Sequence, residues 1–365
     1  MAALNLTFNF ELINSSEILN DTCLNCTVVP NRNLRAQLYL TAFISFIGIG
    51  LNLAICYAIR KKKLLSSSIY TFIFSISISD IITLFGLILN AFVNVQPGQA
   101  TIIHHIVCKC STFLSSMSFT VSVMCLAALA IDRYYIMLDK QIYKASLRGN
   151  SRNKIVIALI WIYAAATNSP QLHLVQVTVN GTCDVYYYGD NYNLPYFVTV
   201  LILNFYIPVV VMIITYRKII LRLKVPMVNS HLDTSSSSHR DNIQVNRRRT
   251  ISTIKMIVVA TVVYMITSLP VPVIMVAAAA KKITVIELRQ NAHPALSALI
   301  TVGLSISVIC CIQNPIIYLI FNSTLRSALP KWCRCCHCCS KYDDEGNTII
   351  IQVSTQQQNF PSTKV

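Results

Sequence analysis

Residues 67–93 read SSIYTFIFSISISDIITLFGLILNAFV, a run of apolar and small hydroxyl side chains broken by one charge, Asp80. An α-helix rises about 1.5 Å per residue, so roughly 20 such residues cross the hydrocarbon core of a bilayer. Lipid offers no partner to backbone N–H and C=O groups, so a crossing segment must pair them internally, as a helix does. Further stretches of the same character occupy 36–59, 106–138, 155–174, 196–221, 251–280 and 294–321. The expected fold is an all-α membrane protein, a seven-transmembrane helix bundle. Its two termini then lie on opposite faces of the membrane.

Charge orients the bundle. The chain carries 30 Lys and Arg against 14 Asp and Glu, a formal net charge of +16. Of the 30 basic residues, 24 fall on one face, at 60–63, 133–154, 217–255 and beyond 321. Arg32, Arg35, Lys109, Lys281, Lys282 and Arg289 fall on the other. Positive charge marks the cytoplasmic side, so the N-terminus is expected outside and the C-terminus inside. Charge parcelled between spans argues against nucleic-acid binding and for attraction to anionic inner-leaflet lipid. The glycosylation sequons agree: Asn5, Asn14, Asn20, Asn25 and Asn180 all fall on the expected outside, and only Asn322 falls inside.

The chain divides into an extracellular glycosylatable tail over 1–35, the bundle over 36–321, a short amphipathic eighth helix over 322–333, and a cytoplasmic tail over 334–365. Low apolar content predicts disorder in that tail and in the polar run SHLDTSSSSH at 230–239. No basic segment followed by an apolar one opens the chain, so the first span is expected to act as the insertion signal. The absence of an internal repeat argues against inverted-repeat transporter folds.

Polar groups inside the spans are costly, and therefore informative. Asp80 follows Ser75, Ser77 and Ser79 on a hydroxyl-rich helix, so it is expected to face the bundle interior beside water, Na⁺ or H⁺. A structurally satisfied acid with no ion role is the alternative. Other markers recur at comparable depths: Asn52 in Gly48-Ile-Gly-Leu-Asn52, Asp132-Arg133-Tyr134, Trp161, Pro208 with Tyr216, Pro270, and Asn314-Pro315-Ile-Ile-Tyr318. An Asn-Pro pair inside a helix removes one backbone bond and creates a hinge. Taken together, these motifs make residues 36–333 resemble the rhodopsin-like (class A) G-protein-coupled receptors.

The resemblance implies a mechanism. Asp132 would hold Arg133 at rest; on activation the sixth helix would swing outward and Arg133 would meet a heterotrimeric G protein, with arrestin as a second partner. Tyr134, Tyr216, Tyr264, Pro270, Asn314, Pro315 and Tyr318 would belong to the same activation machinery. Asp80, Ser122 and Asn314 match the positions of an allosteric sodium pocket, with Cys310 and Cys311 where relatives often carry polar residues. Cys108 and Cys183 match the family's tying disulfide. The ligand positions would be Ser115, Phe119, Asn204, Val271, Met275 and Leu304. Ser115 in place of an aspartate disfavours a biogenic amine, and Val308 in place of a lysine excludes an opsin. An uncharged lipid-like ligand, a peptide, or no ligand remain compatible. The resemblance implies a plasma-membrane receptor with no resident cofactor.

This chain departs from the family pattern in several places. Ser268 replaces the usual tryptophan of the sixth helix and Tyr264 the usual phenylalanine. Thr250 stands where many relatives place an acid that locks Arg133, which predicts raised basal signalling. Residues 139–142 lack the usual Pro-Leu pair. Cys333, Cys335, Cys336, Cys338 and Cys339 crowd into a segment too short to fold around a metal, which favours S-palmitoylation over a zinc site. Cys110 is expected as a buried free thiol, and the pairing of Cys23 and Cys26 stays open. The terminal Ser362-Thr363-Lys364-Val365 resembles a PDZ-domain ligand. Arg247-Arg-Arg-Thr250 reads as the basic flank of the sixth helix rather than a kinase site. Neither H-E-x-x-H nor a second buried carboxylate supports an enzyme. A non-signalling seven-helix scaffold or a small-solute transporter is the competing reading.

Overall fold

The computed structural model describes residues 32–95, 101–138, 149–178, 181–189, 191–224 and 237–329. Among the described residues, seven helices are long and apolar enough to cross a membrane: Arg35–Lys61, Ser68–Asn94, Ile102–Ile136, Arg152–Leu174, Asn193–Arg222, Ile251–Lys281 and Pro294–Phe321. They are called spans one to seven below. Between spans four and five, β1 (Val175–Val177) and β2 (Cys183–Val185) form an antiparallel hairpin with Val177 opposite Cys183. The hairpin marks one end of the bundle, the disulfide end; Asp132 marks the other.

Prolines shape spans four, five and six. Span four reaches Leu174, as expected, but in two pieces: helix Gly149–Asn168 and a separate turn, Gln171–Leu174. Pro170 has no N–H for the carbonyl of Ala166, and Ser169 Oγ donates to that oxygen instead, at 2.9 Å. In span five, Asn193–Leu201 passes through a π-helical turn, Ile202–Tyr206, into Ile207–Lys224. Pro208 cannot serve the carbonyl of Asn204, and the ladder widens there. Span six breaks at Leu269 between Ser237–Ser268 and Pro270–Lys281. Gly303 lets span seven approach that kink: a Cβ there would stand 3.0 Å from Cβ of Pro270.

Two expectations need correction. The helix entering span six begins at Ser237, inside the polar run read as disordered, and residues 225–236 lie outside the described part. Cys110 is exposed, not buried. It sits two residues from buried Cys108, about 200° around an α-helix, which turns it away from the interface Cys108 occupies.

Among the spans, Ile55, Phe72, Ile76, Leu84, Val121, Leu126, Leu129, Tyr264 and Tyr318 form a continuous buried core. Phe43, Phe46, Ile162, Ile213, Ile266 and Leu299 point outward, a surface suited to lipid rather than water. After span seven, Asn322 accepts the N–H of Leu325 and caps a short helix, Ser323–Ala328. The amphipathic segment expected over 322–333 is described only as far as Leu329.

Candidate functional site

Spans two, three and seven meet at Asp80. Ser122 Oγ donates to Asp80 Oδ1 at 3.0 Å, and Asn314 Nδ2 donates to Oδ2 at 3.1 Å. Ser79 Oγ lies 2.7 Å from Ser122 Oγ. The structure thus brings together all three residues read as a sodium pocket. Asp80, Ser122 and Asn314 are buried, and Asn314 Oδ1 has no hydrogen-bond partner among the described residues. A carboxylate, a hydroxyl and an orphaned amide oxygen form a hard, anionic donor set that fits a small monovalent cation. The soft Cys310 and Cys311 thiols add little to it. Tyr264 stacks on Phe119 with centroids 6.1 Å apart, and its hydroxyl is likewise buried without a partner.

At the other site, Arg133 Nη2 meets Asp132 Oδ2 at 2.6 Å. Arg152, from the start of span four, reaches Asp132 Oδ1 at 3.4 Å. Sequence reading had counted Arg152 only as one more cytoplasmic charge. Lys218 Nζ sits 5.6 Å from the ring centroid of Tyr134, a cation–π contact from span five. Tyr216 Oη lies 2.9 Å from Thr261 Oγ1 and so ties span five to span six. Tyr318 is buried, and its hydroxyl has no hydrogen-bond partner among the described residues. The Thr250 side chain lies outside the described residues.

At the disulfide end, Cys108 and Cys183 are bonded. Two residues there escaped the sequence reading. Asn94 of span two accepts the Cys183 N–H at 2.9 Å, anchoring the hairpin. Asp184, nearly buried, accepts backbone N–H groups from Val185 (2.7 Å), Val285 (3.3 Å) and Ile286 (2.8 Å). It therefore joins the hairpin to the loop between spans six and seven, where Thr284 and Glu287 form a capping box on helix Val285–Gln290. Burial raises the Asp184 carboxyl pKa above its ordinary value, against the three N–H donors that lower it. Adjacency to a cysteine was the only sequence signal for Asp184.

Below this junction a narrow cleft is lined by Val185, Tyr187, Phe197, Met275, Ile283 and Val285, among others. Next to Tyr187 in the chain, Tyr188 stacks on His173 at 4.3 Å between centroids, and Tyr186 and Tyr192 are exposed.

The family model described as 7 transmembrane receptor (rhodopsin family) matches residues 51–318. The chain belongs to this receptor family. The receptor is also similar to a QRFP-like peptide receptor of Branchiostoma floridae, 24% identical over 294 residues, which cover 78% of this chain and 73% of the relative.

Within the receptor, the expected ligand positions are dispersed. Met275 and Leu304 pack on one apolar cluster with Ile274 and Ile300, and Met275 also lines the cleft. Val271 is half-buried. Phe119 lies deeper, on Tyr264. Ser115 faces span two, with its Oγ 3.5 Å from Thr83 O. Asn204 is fully engaged: its oxygen accepts Tyr163 Oη at 2.9 Å and its amide donates to Thr167 Oγ1 at 3.2 Å and Thr120 Oγ1 at 3.4 Å. Asn168 Nδ2 also donates to Thr120 Oγ1 at 3.0 Å, while Ser116 donates to Gln171 at 2.7 Å. Spans three, four and five thus share a buried polar network. The sequons Asn5, Asn14, Asn20, Asn25 and Asn180, the cysteines at 23, 26 and 333–339, and the PDZ-like terminus lie outside the described residues.

Proposed function

We propose that this receptor lies in the plasma membrane with its Asp132 end in the cytoplasm, binds an extracellular peptide at its disulfide end, and activates a heterotrimeric G protein. The observation that carries the reading is Arg133, held by Asp132 at the end of span three. A side chain paired on a buried carboxylate can be released when neighbouring helices part, and it then offers five donors to a partner. Basic residues concentrated on the Asp132 side support the orientation. A peptide is supported by the relative named as a peptide receptor and by Tyr186, Tyr188 and Tyr192, exposed beside the cleft-lining Tyr187 and Asn193 in the chain. Tyrosines give large contact area at low conformational entropy cost.

Arrestin would use the same opened face. Asp80, Ser122 and Asn314 would hold an allosteric Na⁺ in the resting state; the bound ion would neutralise the carboxylate. Glycans on the N-terminal sequons, palmitate on Cys333, Cys335, Cys336, Cys338 and Cys339, and a PDZ partner on the terminal valine complete the proposal.

The test is nucleotide exchange on each Gα class, comparing wild type with Arg133→Ala at matched surface expression. A signal lost in the variant is expected. Equal signals in both would sink the reading.

A further inference from the structure

One carboxylate, Asp132, serves two arginines from different spans. Arg133 Nη2 holds Oδ2 at 2.6 Å and Arg152 Nη2 approaches Oδ1 at 3.4 Å. The Asp132 side chain is 4% exposed, against 16% for Arg133 and 26% for Arg152. Each guanidinium uses its own oxygen, so either can leave without displacing the other.

That arrangement bears on the cost of activation. A carboxylate this buried is heavily penalised when its only cation departs, because neither water nor another charge replaces it. Asp132 is not in that position, since Arg152 stays within reach of its second oxygen. The base of Arg152 is also fixed. The next residue, Asn153, is buried and donates to Ser68 Oγ of span two at 2.7 Å, which pins the start of span four to a neighbour outside spans five and six.

We infer that Arg152 is a positioning residue, the standing counter-ion of Asp132, which takes over the carboxylate when Arg133 leaves and so sets how readily the receptor activates. The inference rests on the G-protein reading above. It assigns to span four, through one arginine, part of the control over Arg133. On this account the pair equilibrium is not Arg133-bound against a bare carboxylate but Arg133-bound against Arg152-bound. Moving the carboxylate toward Arg152 closes the 3.4 Å contact as the 2.6 Å contact opens, so charge compensation is kept throughout.

The experiment uses the full-length receptor at matched surface expression and reads basal nucleotide exchange in wild type, Arg152→Gln, Arg152→Lys, Asp132→Asn and Asp132→Asn/Arg152→Gln. Removing the cation is expected to lower exchange by roughly tenfold, the effect of losing a hydrogen bond to a charged group. Lysine should restore most of the signal. In the Asp132→Asn background, Arg152→Gln should change nothing, because no carboxylate remains to compensate. A structural role alone would give the same loss in both backgrounds, and that outcome overturns the inference, as does an unchanged or raised signal in Arg152→Gln.

A second readout separates this inference from the coupling reading. Spin labels on non-natural side chains at positions 60 and 255, both exposed at the Asp132 end, report the separation of spans one and six. If wild type gives no exchange that Arg133→Ala removes, the coupling reading fails, and the label distances still decide. A smaller open population in Arg152→Gln upholds the counter-ion role, and identical distance distributions overturn it.

Discussion

Asn52 donates its side-chain amide to the backbone oxygen of Cys311 at 2.9 Å. That oxygen is the one Pro315, four residues later and without an N–H, cannot serve. The same amide donates to Gly48 O at 3.0 Å, so Asn52 binds its own helix and repairs a neighbour's at once. Asn52→Leu leaves a buried carbonyl unpaired and should cost about 1–3 kcal/mol. Thermal unfolding of the purified receptor measures this, and an unchanged midpoint would refute the assignment.

The Asp184 junction predicts a pH dependence. Burial raises its carboxyl pKa in the folded receptor. From the ordinary value of about 3.9 up to the raised one, the native state holds more protons than the unfolded chain. Stability from this group is therefore highest below that window and falls as pH rises through it. Asp184→Asn cannot ionise and should lose that slope. Midpoints measured from pH 4 upward for both proteins check the sign; parallel curves would count against it.

Two glycines separate packing from propensity. A Cβ on Gly86 would collide with the Ser115 hydroxyl and stand 2.9 Å from the backbone oxygen of Ser111, whereas one on Gly50 would meet nothing within 4 Å. Gly86→Ala should destabilise by about 1–3 kcal/mol through forced separation of spans two and three. Gly50→Ala should be neutral or stabilising by up to about 1 kcal/mol. Adding Ser115→Ala to Gly86→Ala should rescue only part of the loss, because the clash with the backbone oxygen remains.

Asn204 should behave as a structural hub. Asn204→Leu strands Tyr163 Oη and removes a donor from Thr120 and Thr167, at about 0.6–1.7 kcal/mol. Thr120→Val should be less than additive with it, since both break one network. Full additivity in thermal unfolding would show that the two act independently.

Much of the site was legible because its residues announce themselves. Asp80 is the one acid far from either end of a described span, and Asn314-Pro315 and Asp132-Arg133-Tyr134 are dense local patterns. Partner residues without such patterns were not. Arg152 reads as a generic flanking charge, Asp184 as a loop acid, and Asn94 as a polar span end. The hydroxyls and amides joining spans three to five are individually unremarkable, and only shared burial makes them a unit. The end of span four at Leu174 was legible, but hydropathy is blind to backbone hydrogen bonding, so the break that Pro170 makes in its ladder was not.

By itself the sequence determined the number of spans and their helical state, because lipid leaves the backbone no alternative to internal pairing. It also specified where prolines would open those helices. Which side chain fills each opening was decided by the tertiary structure alone: Ser169 for Ala166 within one helix, and Asn52 for Cys311 across two. The same holds for Arg152 on Asp132 and Asp184 on Ile286. These pairings depend on distance between segments remote in sequence, and helix packing sets that distance.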